Sequence, residues 1–265
     1  MNYFFAFFFK AFKEATTSRF SSIVWALGKV LFIILNFYLW QAIYSYDGRA
    51  VINGLSMEET INYMLFSGMM VGLLYNEIHN IVRRDVQKGD ISIKLLKPID
   101  YGFQQLALVL GDRLYSVFIE IIPALTIAFI FFNFKIYGLL NFSFSLASFL
   151  ASMILNFYID LNISLINFKY IDKFGTIQIF KNIIKNLFSG AILPLNFFPQ
   201  ILQGALKFFP TTYLTYVPIM IYLGKLSAID ILFSFFYQIL LIIIFYFIYK
   251  FFYKRLTKSF EGVGV

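Results

Sequence analysis

Apolar residues run through this chain in blocks of about 20 with short polar stretches between them, and a block of that length crosses the hydrocarbon core of a bilayer as one helix. Six blocks fit: 20–44, 60–82, 103–132, 141–168, 176–193 and 230–252. Pro123 lies inside the third, where its ring and missing N–H predict a kink. The fifth is the least apolar. Trp40, Tyr44 and Tyr46 at the far end of the first predict an aromatic belt at the membrane surface, and 47–59 reads as a polar link. Ahead of the first block, Phe4, Phe8 and Phe12 share one helical face and Phe5 and Phe9 another, followed by Lys10, Lys13 and Arg19. This predicts a helix over 1–19 lying in the membrane interface, rings buried and amines at the headgroups. Without a basic start or a small-residue cleavage site, the segment does not read as a removable signal peptide.

The stretch between the fifth and sixth blocks, 194–227, holds Pro194, Pro199, Pro210 and Pro218, four of the six prolines. It is too apolar for an ordinary solvated loop. Short apolar pieces broken by Pro and Gly fit half-helices that dip into the membrane and return, or a loop packed on the bilayer surface. No internal repeat or soluble domain is visible. The pattern therefore predicts a single domain over 1–265: an all-α integral membrane protein with six transmembrane helices, an N-terminal interfacial helix and, on the first of those two readings, a re-entrant helical hairpin between spans five and six.

Composition agrees. Of 265 residues, 60% are hydrophobic and 14% charged, against about 45–50% and 25% in soluble domains. One water-soluble core of this size could not hide so much apolar surface. The net charge of +8 is a nucleic-acid signal in a soluble protein, but in a membrane chain the distribution of Lys and Arg matters more. With both termini in the cytosol, 16 of the 22 Lys and Arg fall on that side, against Arg49, Lys135, Lys207 and Lys225 outside. Lys29 and Arg113 fall within spans. The asymmetry predicts cytosolic termini. With no Cys there is no disulfide, thiolate metal site or thiol nucleophile, and the single His79 makes no metal cluster.

The densest charge lies in VRRDVQKGDISIKLLKPID, residues 82–100. Gly89 is placed to end the extension of the second helix, Asp90 to cap a short new helix, and Pro98 to reset direction. Ile91, Leu95 and Leu96 can form its apolar face. Such a helix suits the groove of a partner protein; the other reading is a solvated loop held to anionic lipid by its basic side chains, at about 1 kcal/mol each. Nucleic acid is not expected, because the other cytosolic segments are too short to build a binding domain.

Two patterns carry a resemblance. Gly190, Pro194, Pro199, Pro210, Pro218 and Gly224 after a fifth span resemble the permease subunits of type-2 ATP-binding-cassette (ABC) exporters. Arg84, Gly89-Asp90-Ile91 and Leu95-Leu96-Lys97-Pro98 resemble the loop after the second span in one bacterial branch of them. The resemblance implies a pair of permeases, identical or paralogous, in the bacterial cytoplasmic membrane, driven by two separate ATPase subunits that carry ATP and Mg. It implies that Arg84, Asp85, Lys88, Gly89, Asp90, Ile91, Lys94 and Leu95, within 83–100, couple to the ATPase. The chain itself lacks a phosphate-binding Gly-Lys-(Ser/Thr) motif, because Gly28-Lys29 and Gly224-Lys225 are followed by aliphatic residues. No catalytic residue, metal or cofactor is expected on this chain. Cargo stays open among peptide, drug, lipid and glycan.

Gln178, Asn182, Asn186 and Ser189 recur on one helical face of the fifth block. They either line a translocation path for an amphiphilic substrate or hydrogen-bond within the bundle. Lys181 and Lys185 beside them are expected to snorkel. Asp160 and Glu120 lie inside spans, where a charge is costly; they are either satisfied by Asn or Tyr neighbours or protonated, or else they face the substrate or relay protons. A secondary transporter or channel would use these two as ion-coupling groups. Asp112 and Arg113 are expected to pair.

Overall fold

A computed structural model describes residues 2–17, 19–95, 97, 99–132, 134–170 and 175–260. Leu96 and Pro98 of the predicted coupling segment lie outside the described residues. Helix α1 (Asn2–Ala15) is followed by α2 (Arg19–Asp47), then a hairpin of β1 (Val51–Ile52) and β2 (Leu55–Ser56). The turn between these strands is Asn53-Gly54, both at positive φ, the combination that closes a two-residue hairpin. The polar link predicted over 47–59 is thus ordered, and Ser56 and Glu59 form a capping box that starts α3 (Met57–Leu74).

Next come α4 (Ile78–Lys88), α5 (Asp90–Leu95), α6 (Tyr101–Ser116), α7 (Ile122–Phe131) and α8 (Leu139–Ser164). They are followed by α9 (Thr176–Phe188), α10 (Gln200–Leu206), α11 (Tyr216–Tyr222) and α12 (Ala228–Phe260). Among the described residues, four helical stretches are long and apolar enough to cross a membrane: Ile23–Asp47, Tyr101–Phe131, Leu139–Phe168 and Ala228–Leu256. The second predicted span is broken at residues 75–77, between α3 and α4. The fifth is helical over only 13 residues, about 20 Å, short of the roughly 30 Å hydrocarbon core.

Pro123 acts through a π-turn. Residues 117–121 widen so that the Ile122 N–H bonds to the Val117 carbonyl, and α6 continues into α7 across this turn instead of breaking. Such turns relieve a helix where a regular hydrogen bond is lost. The belt predicted at the end of α2 is partly internal: Tyr46 is exposed, but Trp40 packs on Phe197 and the Tyr44 hydroxyl donates to the Leu55 carbonyl, so both are buried. The β-hairpin gives Tyr44 a protein surface to cover, and the Pro-rich stretch gives one to Trp40.

Small and polar residues join the long helices, as expected where lipid offers no water-driven packing. Gln238 of α12 bonds Ser148 and Ser152 of α8 and the Tyr213 carbonyl. Helix α1 runs alongside α6, with Phe4 against Phe103 and Phe12 against Tyr115, while Phe5 and Phe9 face outward. The two faces therefore separate as the Phe spacing predicts. In the Pro-rich stretch, Pro194 and Pro199 precede helical turns, Pro210 opens another, and Pro218 sits in α11. Gly190 and Gly224 turn the chain at positive φ.

Candidate functional site

Two groups of charged residues lie among the apolar helices. The first begins on α3, where Gly68 and Gly72, one turn apart, leave a groove for α2. A methyl on Gly68 would meet the Phe32 ring at 2.7 Å, and one on Gly72 would meet Lys29 Cε at 2.6 Å. Phe32 and Lys29, themselves about one turn apart, sink into that groove. Lys29 reaches the carboxylate of Glu120, with which it forms an ion pair. Glu120 belongs to the π-turn, which aims it inward. One helical stretch away, Arg113 pairs with Asp112 and donates to the Gly72 carbonyl at 3.1 Å. Asp112 and Arg113 thus pair as the sequence predicts.

These groups line a cleft of about 920 Å³ between α2, α3, the π-turn and the end of α9. Phe32, Ile33, Met64, Met69 and Ile192 give it apolar walls, and Trp25, Tyr75 and Glu77 line it toward the α3–α4 break. An apolar cavity with a few convergent polar groups is the usual form of a small-molecule site. Asn186 lines this cleft. Asn182, Asn186 and Ser189 also border a smaller cavity of about 50 Å³ with Lys185 and Thr215. Gln178 is buried and bonds the Asn76 carbonyl. The polar stripe of α9 is therefore divided: its start serves the fold, and its later turns face the cavities.

The second collection is a hub on Asp160 of α8. Lys181 and Lys185 of α9 lie 3.0 and 3.1 Å from its carboxylate, and all three side chains are buried. Asn76 donates to Asp160 at 2.9 Å, and Asn156 donates to the Leu74 carbonyl at 2.7 Å. The lysines expected to snorkel are held inside instead, because Asp160 supplies the counter-charge that makes burial tolerable. The hub also satisfies the backbone freed at the α3–α4 break, the condition for non-helical chain at membrane depth. Asp160 and Glu120 are met mainly by lysines, not by the expected Asn or Tyr alone.

At the same end as the break, Gly89 ends α4 in the left-handed conformation, φ 73°. Its carbonyl accepts the Ser92 N–H, so Gly89 also opens α5. Asp90, expected as the cap, is instead the first residue of α5. Lys94 grips both oxygens of Asp85 at 2.7 Å, and the Tyr101 hydroxyl donates to Asp85 at 2.8 Å. Ile91, expected on an outward apolar face, is fully buried in a cluster with Ile78, Val82 and Tyr101. The outward surface is Arg84, Lys88, Gly89 and Ile93. Leu95 ends α5. Lys250 pairs with Asp100 at 2.7 Å, and the Gly102 N–H donates to the Tyr249 hydroxyl, tying this elbow to α12. His79 is buried beside Asn167, and among the described residues no group of His, Asp or Glu could hold a metal.

Missed in the sequence were the partnerships, above all Lys29 with Glu120 and the two lysines with Asp160, and the place of Glu77 in the cleft. A signal existed, since every cation inside an apolar block needs an anion inside another. The spacing that matches them is three-dimensional, however.

Apolar helices of membrane-crossing length, with ion pairs and a cleft between them, define an integral membrane protein. Residues 30–264 match the family described as ABC-2 family transporter protein, and the chain belongs to that family. It is a type-2 ABC permease, the membrane component that partners with ATPase subunits and not the ATPase itself. Comparison with curated proteins and with solved structures found no match.

Proposed function

We propose that this chain is the membrane-spanning subunit of an ATP-driven exporter, forming one permease domain over 1–265 in a bacterial cytoplasmic membrane. It works as a pair, with an identical or paralogous copy, and two ATPase subunits that hold ATP and Mg drive it. The Lys and Arg distribution supports cytosolic termini and a cytosolic α4–α5 end. The chain then makes six passes, two of them by the broken α3–α4 and the short α9, with residues 194–227 as a re-entrant hairpin near the outer face. Helix α1, within 1–19, lies in the cytosolic interface among lipid headgroups.

The observation that carries the coupling role is the rigidity of the α4–α5 elbow. Asp85, Lys94 and Tyr101 lock its two arms, and Asp100, Gly102, Tyr249 and Lys250 fasten it to α6 and α12. A push on its exposed surface, Arg84, Lys88, Gly89 and Ile93, would move whole helices instead of flexing a loop. Asp90 and Leu95 belong to the same unit, and Ile91 anchors it from inside. Closure of the ATPases would change the separation of the two permeases, and an amphiphilic cargo would leave past Asn182, Asn186 and Ser189 and the Pro-rich hairpin. Glu120 borders that path, whereas Asp160 and Gln178 hold its wall. A secondary transporter or channel would need Asp160 and Glu120 free to exchange ions, and each is engaged by lysine.

The chain has no Cys, so Ile93→Cys, at a position 64% exposed, gives a single reporter. A membrane-impermeant maleimide should label it only in inside-out vesicles, and co-expression of its partner ABC ATPase should protect it. Labelling in right-side-out vesicles would reverse the orientation. Equal labelling with and without the ATPase would remove the docking surface.

A further inference from the structure

Cargo chemistry can be read from the charge balance of the cleft. Its lining carries two cations, Lys29 and Arg113, and three carboxylates, Glu77, Asp112 and Glu120. Lys29 is spent on Glu120 and Arg113 on Asp112. Glu77 has no ion-pair partner among the described residues; its contact is the Tyr75 hydroxyl at 3.2 Å. The lysines of the Asp160 hub are buried against α8 and do not line this cleft. One unneutralised carboxylate therefore faces it.

Aromatic rings stand beside that carboxylate. Trp25 and Tyr75 lie 6.3 Å apart, centroid to centroid, with their planes 32° from parallel, and both line the cleft with Glu77. A ring face attracts a cation through its quadrupole and Trp does so best, an attraction that strengthens away from water. Beyond them the cleft turns apolar at Phe32, Met64 and Met69.

We propose that this cleft binds organic cations with an apolar body, the ammonium or other cationic head between Glu77, Trp25 and Tyr75 and the body along the apolar walls. The proposal rests on the reading that cargo passes through this cleft, and it narrows that cargo to cationic amphiphiles. Because Glu77 belongs to the end assigned to the cytosol, the head is caught at the side from which an exporter loads.

Tetraphenylphosphonium and tetraphenylborate share size and shape and differ in sign, so they isolate the charge. Binding of each is measured on the purified full chain in a maltoside detergent, against empty micelles and with no ATPase present. The phosphonium should bind about tenfold or more tighter than the borate, and Glu77→Gln should weaken the phosphonium several-fold, the scale of one partly desolvated charge contact. Glu77→Lys should invert the preference. Glu77 is exposed, and an unchanged unfolding temperature will show that its variants keep the fold. Borate binding as tight as the phosphonium, or phosphonium binding indifferent to Glu77→Gln, would overturn the proposal. Since no ATPase takes part, selective phosphonium binding stands even if Ile93→Cys finds no ATPase docking, and docking stands if binding is unselective.

Discussion

Single atoms decide how closely these helices approach. At Gly111 of α6 a methyl would lie 2.9 Å from the backbone carbonyl carbon of Phe8, and backbone cannot swing aside as a side chain would. Gly111→Ala should therefore lift α1 from α6 and cost about 1–3 kcal/mol, seen as a lower unfolding temperature and faster proteolysis within α1. Asp160 is the opposite case, a residue whose loss leaves others stranded. Asp160→Asn would leave Lys181 and Lys185 buried without a counter-charge, a loss of about 3–5 kcal/mol. Pairing it with Lys181→Met and Lys185→Met should recover much of that loss, and denaturant unfolding in micelles would measure both. A triple substitution no more stable than Asp160→Asn would mean the lysines are not what Asp160 serves.

Among the elements, the start of α3 is expected to lose stability in acid. Lys225, just past α11, lies 2.6 Å from Glu59 at the start of α3. Burial alone would raise the Glu59 carboxyl, but Lys225 and the Ser56 N–H outweigh it and hold the carboxyl below its usual value of 4.5. A carboxylate lowered by folding stabilises fully above its unfolded value and loses that contribution as pH falls through the folded one. The unfolding temperature of the native chain should thus drop more steeply than that of Glu59→Gln as pH is taken below about 4.5; parallel curves would remove the link. The elements also mark where the sequence was legible. Apolar runs revealed the long helices, the Phe spacing revealed both faces of α1, and Gly89 revealed its turn. The hairpin signal Asn53-Gly54 lay unread inside a polar link. The break at 75–77 lay inside a run read as one span although Asn76 and Glu77 interrupt it, because the groups that stabilise it, Asn156, Asp160 and Gln178, come from α8 and α9.

For the whole molecule, the same locality governs the candidate site. Composition and charge distribution pointed to a membrane chain and an orientation, and Asp160 and Glu120 stood out as costly. Hydropathy could not supply their lysine partners or gather Glu77, Trp25 and Tyr75 at one cleft, because those contacts join distant parts of the chain. One further consequence follows from the hub, and it concerns the order of synthesis. Asp160 emerges from the ribosome about 20 residues before Lys181. At the usual 5–20 residues per second that interval lasts about one to several seconds. During that interval the acid of α8 is without its lysines. Asn76 and Asn156 are already made and can hold the carboxyl until the lysines arrive, so α9 joins a nascent bundle whose receptor for it is already built.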